Sequence, residues 1–265
     1  MSDRRLDKIL ITVMTYPHPS AVHQELVCTA GVTEGGEWIR LYPIDYRYQP
    51  RDRQFHKYQW IEVETHKPER GKDNRKESRR PDLDTLRIVS EPLDTRNHWK
   101  QRREIIDRIP HLTRHQLEAS FEVDKTSLGI VRPSRIIDLE IREADPEWKP
   151  AWQKELAQLR LFGPQPKPLT KLPFSFHYIF ECEDSKKPHT AMCEDWELGV
   201  LFLKLREQHG SDVVAANLTR ERFLTELCGP TKDTRFFMGT FFPYNKWLVL
   251  GVFWPPKDRA RSLFL

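Results

Sequence analysis

Short runs in which apolar and polar residues alternate, or in which β-branched residues cluster, dominate the first ninety residues of the chain. Such runs are typical of β-strands, and Pro-rich or Gly-rich breaks separate them. Gly35-Gly36 is one of these breaks and has the character of a tight hairpin turn. The predicted strands cover residues 8–15, 25–32, 37–42, 58–65 and 86–89. We therefore expect a small, largely antiparallel β module, partly closed into a barrel.

Helical spacing of apolar residues begins near residue 97. The predicted helices cover residues 98–109, 114–122, 151–161, 195–208 and 212–227, and Gly229-Pro230 ends the last of them. Residues 126–135 contain a turn and a Pro break. Further strands are predicted at 136–141, 174–182, 234–242 and 246–253, the last two joined as a hairpin through residues 243–245. The fold class is accordingly α+β, with a helical and β-hairpin C-terminal part.

The Pro-rich segment GPQPKPLTKLP at residues 163–173 is the best candidate for a domain boundary. We expect a β-rich module at 1–95, a helical and mixed connecting region at 96–163, and an α+β domain at 174–265.

The composition is that of a globular protein, with 38% apolar and 31% charged residues in 265. No apolar run is long enough to span a membrane, and the first ten residues lack the pattern of a signal peptide. We therefore expect a cytoplasmic protein without a membrane partner. The four cysteines form no CxxC pair, which favours reduced thiols over a disulfide framework.

The strand at 37–42 has two different faces. Ile39 and Leu41 fall on one side of the pleat, and Trp38, Arg40 and Tyr42 fall on the other. If exposed, that second side is a platform on which nucleic-acid bases can stack. The alternative is a strand buried on both faces, with arginines at the rim. The same mixture continues in Arg47, Tyr48, Arg51 and Arg53.

A basic segment follows at residues 67–80. Its cations are Lys67, Arg70, Lys72, Arg75, Lys76, Arg79 and Arg80. Three acids reduce its net charge to +4, which equals the net charge of the entire chain. A loop of this kind suits backbone phosphates, although a solvated, disordered insertion has the same composition.

Cys182, His189 and Cys193 are the only Cys/His cluster in the sequence, and they provide three candidate ligands for zinc on a strand–loop–helix junction. A fourth ligand would come from Asp184, Glu194 or His177. The alternative is a surface loop beside a buried Cys182.

Several motifs resemble those of a poorly characterised bacterial family. They are Cys-x(6)-His-x(3)-Cys-Glu-Asp-Trp-Glu-Leu at 182–198, LCGPTKDTRFFMGT at 227–240, LGVFWPP at 250–256 and SLGIVRP at 127–133. The resemblance implies a component of a bacterial defence or DNA-processing system, acting with other proteins of that system, and it carries no enzyme mechanism. This chain lacks the second cysteine of the family pattern and the glycine before His189, so a zinc knuckle of the family is lost here.

The acids near the same motif permit a different interpretation. Glu181, Glu183, Asp184, Glu194, Asp195 and Glu197 contain enough carboxylates for a magnesium site that cleaves phosphodiesters. Asp195 also fits the plainer role of helix N-cap. Of the loop residues, His18 and His23 could face a ligand, and residues 229–235 could hold a phosphate.

Together these patterns favour a nucleic-acid-binding protein that recognises DNA or RNA through the aromatic and arginine face and the basic loop. A metal-dependent nuclease and a protein-interaction scaffold are the alternatives.

Overall fold

The computed structural model describes residues 3–69, 71–158, 163–241 and 246–257. The strands in these residues are β1 (Arg5–Met14), β2 (His18–Ser20), β3 (Gln24–Leu26), β4 (Thr29–Val32), β5 (Trp38–Leu41), β6 (Trp60–His66), β7 (Ser78–Pro81), β8 (Arg87–Ile88), β9 (His111–Leu112), β10 (Leu128–Val131), β11 (Arg135–Glu143), β12 (Phe174–Cys182), β13 (Ser185–Met192), β14 (Arg235–Phe241) and β15 (Lys246–Phe253). The helices are α1 (Arg96–Ile106), α2 (Arg114–Asp124), α3 (Pro150–Leu156), α4 (Trp196–His209) and α5 (Asp212–Arg220), and a π-helical segment at Glu221–Glu226 follows α5.

Five strands of the N-terminal part close into a barrel. Their order is β1-β4-β5-β7-β6, and β6 pairs back onto β1. Every pair is antiparallel except β5–β7, which is parallel. Because β6 and β7 exchange places relative to chain order, the connectivity is that of the five-stranded Greek-key barrel known as the OB-fold. The prediction of a partly closed β module within an α+β fold is confirmed.

The barrel closes because β1 is long enough to pair with two neighbours. Residues 5–10 pair with β6 and residues 10–14 pair with β4. The register shifts between Ile11 and Val13, and a shift of this kind bends a strand around a barrel. The interior is filled by apolar side chains that include Ile9, Ile11, Ile39, Leu41, Ile61 and Val63.

The second half of the chain is built from two sheets and a helical hairpin. One sheet has the order β15-β14-β10-β9, and the other has the order β11-β12-β13. The helices α4 and α5 contribute Phe202, Ala215 and Ala216 to a core shared with both sheets. Tyr178 is fully buried there, and its hydroxyl donates to the carbonyl of Phe223 (2.9 Å). This apolar core gives the second half its own centre.

Five strands depart from the sequence prediction, and two of them, β2 and β9, have only three and two residues. β7 lies inside the predicted basic loop, β10 lies in the predicted turn at 126–135, and β13 replaces a predicted loop after Cys182. β7 contains only Ser, Arg and Pro, so its place is set by its two strand neighbours and not by an apolar pattern. The β14–β15 pairing confirms the C-terminal hairpin, whose connection at 243–245 lies outside the described residues. No helix within the described ranges has both the length and the apolar character needed to cross a membrane.

Candidate nucleic-acid interface

The predicted aromatic and arginine face lies on the outer wall of the barrel, where the second half of the chain covers most of it. Ile39 and Leu41 point into the barrel, as predicted. Arg40 is only 1% exposed, and the ring of Trp38 packs edge-on against Phe237 at 5.8 Å. The expectation that the row faces solvent is therefore wrong for Arg40 and holds only in part for Trp38. Tyr42, at the end of the strand, is 37% exposed.

Arg40 serves as a link between the two halves of the chain. Its Nη2 donates to the carbonyl oxygen (3.1 Å) and the hydroxyl (3.3 Å) of Ser127. Glu77 accepts from the amide (2.9 Å) and the hydroxyl (2.7 Å) of the same serine. Burial lowers the pKa of Arg40 and the nearby Arg75 lowers it further, while Glu77 acts in the opposite direction. The guanidinium is thus occupied by the fold and is not available to a ligand.

The basic segment at 67–80 divides into a buried and an exposed part. Arg75 donates to the Thr240 carbonyl (3.1 Å) and to Asp73 (2.7 Å). Arg79 is also buried and donates to Asp3 (2.9 Å). The cations left accessible are Lys67, Lys72 and Lys76, with Arg80 half-buried; Arg70 lies outside the described residues. Arg75 and Arg79 are therefore part of the folded structure, whereas the side chains of Lys67, Lys72 and Lys76 remain accessible to a polyanion.

The remaining predicted residues belong to the connection between β5 and β6. Arg47 pairs with the buried Glu25 (3.1 Å), and Arg53 pairs with Asp84 (2.8 Å). Tyr48 is half-buried in a short 3₁₀ turn. Arg51 is exposed and forms no ion pair with any residue that the structure describes. Of this group, Arg51 alone has an uncommitted charge at the surface.

A groove of about 980 Å³ brings several of the predicted residues together. Its barrel wall includes Trp38, Lys67, Lys76 and Arg79, and its opposite wall is α2. Lys76 forms an ion pair across it with Asp124, and both side chains are largely exposed. The indole N–H of Trp38 is buried without a hydrogen-bond partner in the described parts of the chain. The groove thus combines an aromatic residue with cations, and the acids Glu37, Glu77 and Asp124 also line it.

The three predicted zinc ligands are not brought together. Cys182 lies opposite Ser185 at one end of the β12–β13 ladder. At the other end, the backbone amide of Cys193 donates to the Phe176 carbonyl (2.7 Å). Six residues of strand separate those ends, which is roughly 20 Å. His189 lies between them, and the centroid of its ring is 4.9 Å from that of His115. No set of three or more potential metal ligands exists among the residues described.

The acids proposed for a magnesium site are likewise dispersed. Glu183 and Asp184 are exposed at the turn between β12 and β13. Asp195 is buried and caps α4, and it holds Lys57 (3.0 Å), which also contacts Glu197 (3.0 Å). The capping role considered for Asp195 is therefore present, and the carboxylates do not converge on one position.

A small cavity beside His18 and Glu194 was not identified as a site from the sequence. The two residues are visible separately in the sequence: His18 lies in a Pro-rich turn, and Glu194 directly precedes Asp195. Nothing in the sequence indicates that these two residues meet, because 176 positions separate them.

The fold and the groove define an α+β protein in which an OB-type barrel is covered by a second α+β unit. Residues 110–265 match the family described as Domain of unknown function (DUF8757), and residues 5–108 match Domain of unknown function (DUF8758). The first match covers more than half of the chain, so the protein belongs to the DUF8757 family. The expectation of a poorly characterised family is confirmed. No curated protein matches the chain.

The two family matches meet between residues 108 and 110. The division into 1–95, 96–163 and 174–265 remains a prediction.

Proposed function

We propose that the protein binds DNA or RNA along the groove between the barrel and α2, with the β6–β7 loop at residues 67–77 as its main electrostatic contact. The observation that carries the proposal is the position of this loop. In a barrel with OB connectivity, the loop between the fourth and fifth strands is one of the regions that bind oligonucleotides. Here the loop contains five Lys and Arg residues and three acids. The binding role of this loop is an analogy with other barrels of the same connectivity, so the proposal also depends on the charges of the loop.

The accessible charges of the loop support phosphate binding. Lys67 forms no ion pair with a described residue, and Lys72 contacts Glu69 only at 3.6 Å. Lys76 pairs with Asp124 at the surface. Exposed ion pairs contribute about 0–1 kcal/mol each, so a phosphate can replace these partners at little cost. Phosphate contacts provide most of the sequence-independent affinity for nucleic acid.

The groove provides surface for bases as well as for phosphates. Trp38 and the exposed Val123 of α2 form apolar parts of its walls. An aromatic side chain beside a cationic rim is the usual composition of a single-strand site. A cytoplasmic location belongs to the same proposal. A role beside other proteins in a bacterial defence or DNA-processing system belongs to it as well, and that role comes from the motif resemblance.

Fluorescence anisotropy with single-stranded and double-stranded probes tests the proposal. We expect binding at low salt that weakens as salt increases. The variant Lys67→Gln/Lys72→Gln/Lys76→Gln should reduce the slope of log K against log salt by about 2 for a single strand, since each lost contact accounts for about 0.7.

The matched control is Lys186→Gln/Lys187→Gln/Lys204→Gln, which removes three exposed lysines from β13 and α4. It should leave the slope unchanged. Absence of binding at low salt, or equal effects of both triple variants, would remove the proposal.

A further inference from the structure

The half-buried Trp254 lies directly after β15 and is surrounded by two cations and a second indole. The Lys232 ammonium is 4.9 Å from the centroid of its ring. The guanidinium of Arg222, which also pairs with Glu226, is 5.7 Å from that centroid. The ring of Trp99 from α1 packs edge-on against Trp254 at 4.8 Å, and Trp99 is itself buried. Trp254 is thus a partly accessible aromatic ring that a buried neighbour holds in place.

Three cations of this surface have no acidic partner. Lys232 and the exposed Lys257 form no ion pair with any residue that the structure describes. The guanidinium of Arg103 donates to the carbonyl of Pro256, which is an uncharged acceptor. An aromatic ring beside unpaired cations is the composition that binds a single strand of nucleic acid.

A four-stranded sheet joins this surface to the groove. Its edge strand β9 contributes Leu112 to the groove wall, and its other edge is β15. Leu112 lies in register with Val131, Phe236 and Val252 across the sheet, and Trp254 is two residues beyond Val252. Three strand spacings of about 4.8 Å separate the two edges, which is roughly 14 Å. The groove and Trp254 are therefore within the reach of one short oligonucleotide.

The end of the sheet between the groove and Trp254 carries balanced charge. Arg132 follows β10, and Arg235 begins β14. Asp233 pairs with both, at 2.9 and 2.7 Å, and Asp107 also pairs with Arg235. Two guanidinium groups thus match two carboxylates, so these four residues present no net negative charge to a phosphate backbone.

We propose that one single strand of nucleic acid occupies the groove and continues over this end of the sheet to Trp254, where a base stacks on the indole. Lys232 and Lys257 meet the phosphates of that part of the strand. The inference rests on the proposed function and extends it by naming an unpaired strand as the ligand. Bases that are paired and stacked within a duplex do not offer a face to a protein ring, whereas those of a single strand do.

The cation already over the ring does not prevent stacking. A base that stacks on Trp254 takes the place of the Lys232 ammonium. An exposed cation–π contact is weaker than a base–aromatic stack, so the exchange is favourable. The lysine stem is flexible, and the displaced ammonium then pairs with the phosphate of the same nucleotide.

Fluorescence anisotropy with oligothymidine and oligouridine of four and sixteen nucleotides tests the proposal. These lengths are the limits of what one OB fold covers, so the four-mer occupies the groove alone and the sixteen-mer extends to Trp254. In the polymer that binds more tightly, Trp254→Ala should weaken the sixteen-mer by about fivefold or more, the loss of one base stack, and leave the four-mer unchanged. Trp254→Phe keeps a ring and should restore most of the affinity.

A charge variant that keeps the indole guards against misfolding of Trp254→Ala. Lys232→Gln/Lys257→Gln should lower the slope of log K against log salt by about 1.4 for the sixteen-mer, because each phosphate contact accounts for about 0.7. The slope for the four-mer should not change. Circular dichroism verifies the fold of each variant.

The chain offers a matched control in Trp148, a half-buried tryptophan with the Lys171 ammonium 5.7 Å from its ring. It lies near the opposite end of β14, because the ring of His18 contacts both Trp148 (6.5 Å) and Phe241 (6.3 Å). Trp148→Ala should leave the binding of both lengths unchanged.

The outcomes separate this inference from the proposed function. A folded Trp254→Ala protein that binds the sixteen-mer normally, or that loses both lengths equally, would overturn the continuous path. Two sixteen-mers bound per protein would overturn it as well, since they would indicate two separate sites. Binding that weakens in Lys67→Gln/Lys72→Gln/Lys76→Gln but not in Trp254→Ala removes this inference alone. Absence of binding by the unmodified protein removes the proposed function together with it.

Discussion

Asp195 shows at the scale of one residue how a single carboxylate can organise several elements. It is 1% exposed, accepts from the amides of Glu197 (3.0 Å) and Val252 (3.1 Å), and holds the ammonium of Lys57 (3.0 Å). One side chain thus caps α4, bonds β15 and neutralises a lysine from the barrel. Burial lowers the pKa of Lys57, but Asp195 and Glu197 outweigh it, and the pKa is raised.

Asp195→Ala should therefore be strongly destabilising. It leaves the Lys57 ammonium with only the partly exposed Glu197 and leaves the buried Val252 amide unpaired. We expect a loss of about 3–5 kcal/mol in the free energy of unfolding, measured by urea denaturation. Glu183→Ala, an exposed acid in the same sequence region, should change it by less than about 0.5 kcal/mol. Similar losses in both variants would contradict this account of Asp195.

Part of this arrangement was predictable. An acid just before a helical run identifies Asp195 as an N-cap, since the first turn of a helix has free amides. Its pairing with Lys57 was not predictable, because 138 positions separate the two residues and no local pattern relates them. Long-range ion pairs depend on the topology of the fold. For the same reason, the sequence does not indicate that His18 and Glu194 are in contact.

At the scale of elements, the barrel closes through a very close approach of β4 to β1. A Cβ at Gly31 would lie 2.2 Å from the Leu10 carbonyl oxygen. No heavy atoms outside a covalent bond approach so closely, and the obstacle is backbone that cannot rotate away. Gly31 is therefore required at this crossing.

Gly31→Ala should force the two strands apart and lower stability by about 1–3 kcal/mol or more, the usual cost of overpacking a core. Thermal unfolding followed by circular dichroism measures the effect. Gly35→Ala is the matched control, because the nearest atom to its Cβ would be the Thr33 hydroxyl at 3.7 Å. If both variants unfold at the same temperature, the close approach of β4 to β1 does not limit stability.

The elements that the sequence predicted are those whose own residues form the pattern. The hairpin of β4 and β5 follows from its alternation and its two glycines, and α4 and α5 follow from their apolar spacing and end signals. β7 has no apolar pattern. It forms because its backbone pairs with β5 on one edge and with β6 on the other, which closes the barrel.

At the scale of the whole molecule, the outer wall of the barrel is an internal interface. Alternation identified Trp38 and Arg40 as facing away from the barrel core, which is correct, but alternation cannot tell solvent from a second domain. The charged groups at this interface are bonded to each other and to backbone of the opposite half, through Arg40, Arg75 and Glu77. The candidate site consequently shifts from the barrel face to the groove beside it.

This interface makes the stability of each half depend on the other. Glu77 accepts from the amide and hydroxyl of Ser127 and lies near the buried charge of Arg40. Glu77→Ala removes these bonds and leaves a buried amide and a buried cation with fewer partners. We expect a loss of about 3 kcal/mol or more in the free energy of unfolding.

The same variant should also separate the unfolding of the two halves. In the unmodified protein, urea unfolding followed by tryptophan fluorescence and by far-ultraviolet circular dichroism should give one shared midpoint. The reason is that both halves contribute to one apolar core, with Leu10 and Val32 from the barrel and Phe237 from the second half, so neither half can unfold without exposing it. In Glu77→Ala the two midpoints should diverge. Glu69→Ala, an exposed acid in the same loop, should preserve the shared midpoint. Two transitions in the unmodified protein would show that the halves are already independent, and the covered barrel wall would then be accessible to ligands by simple opening of the interface.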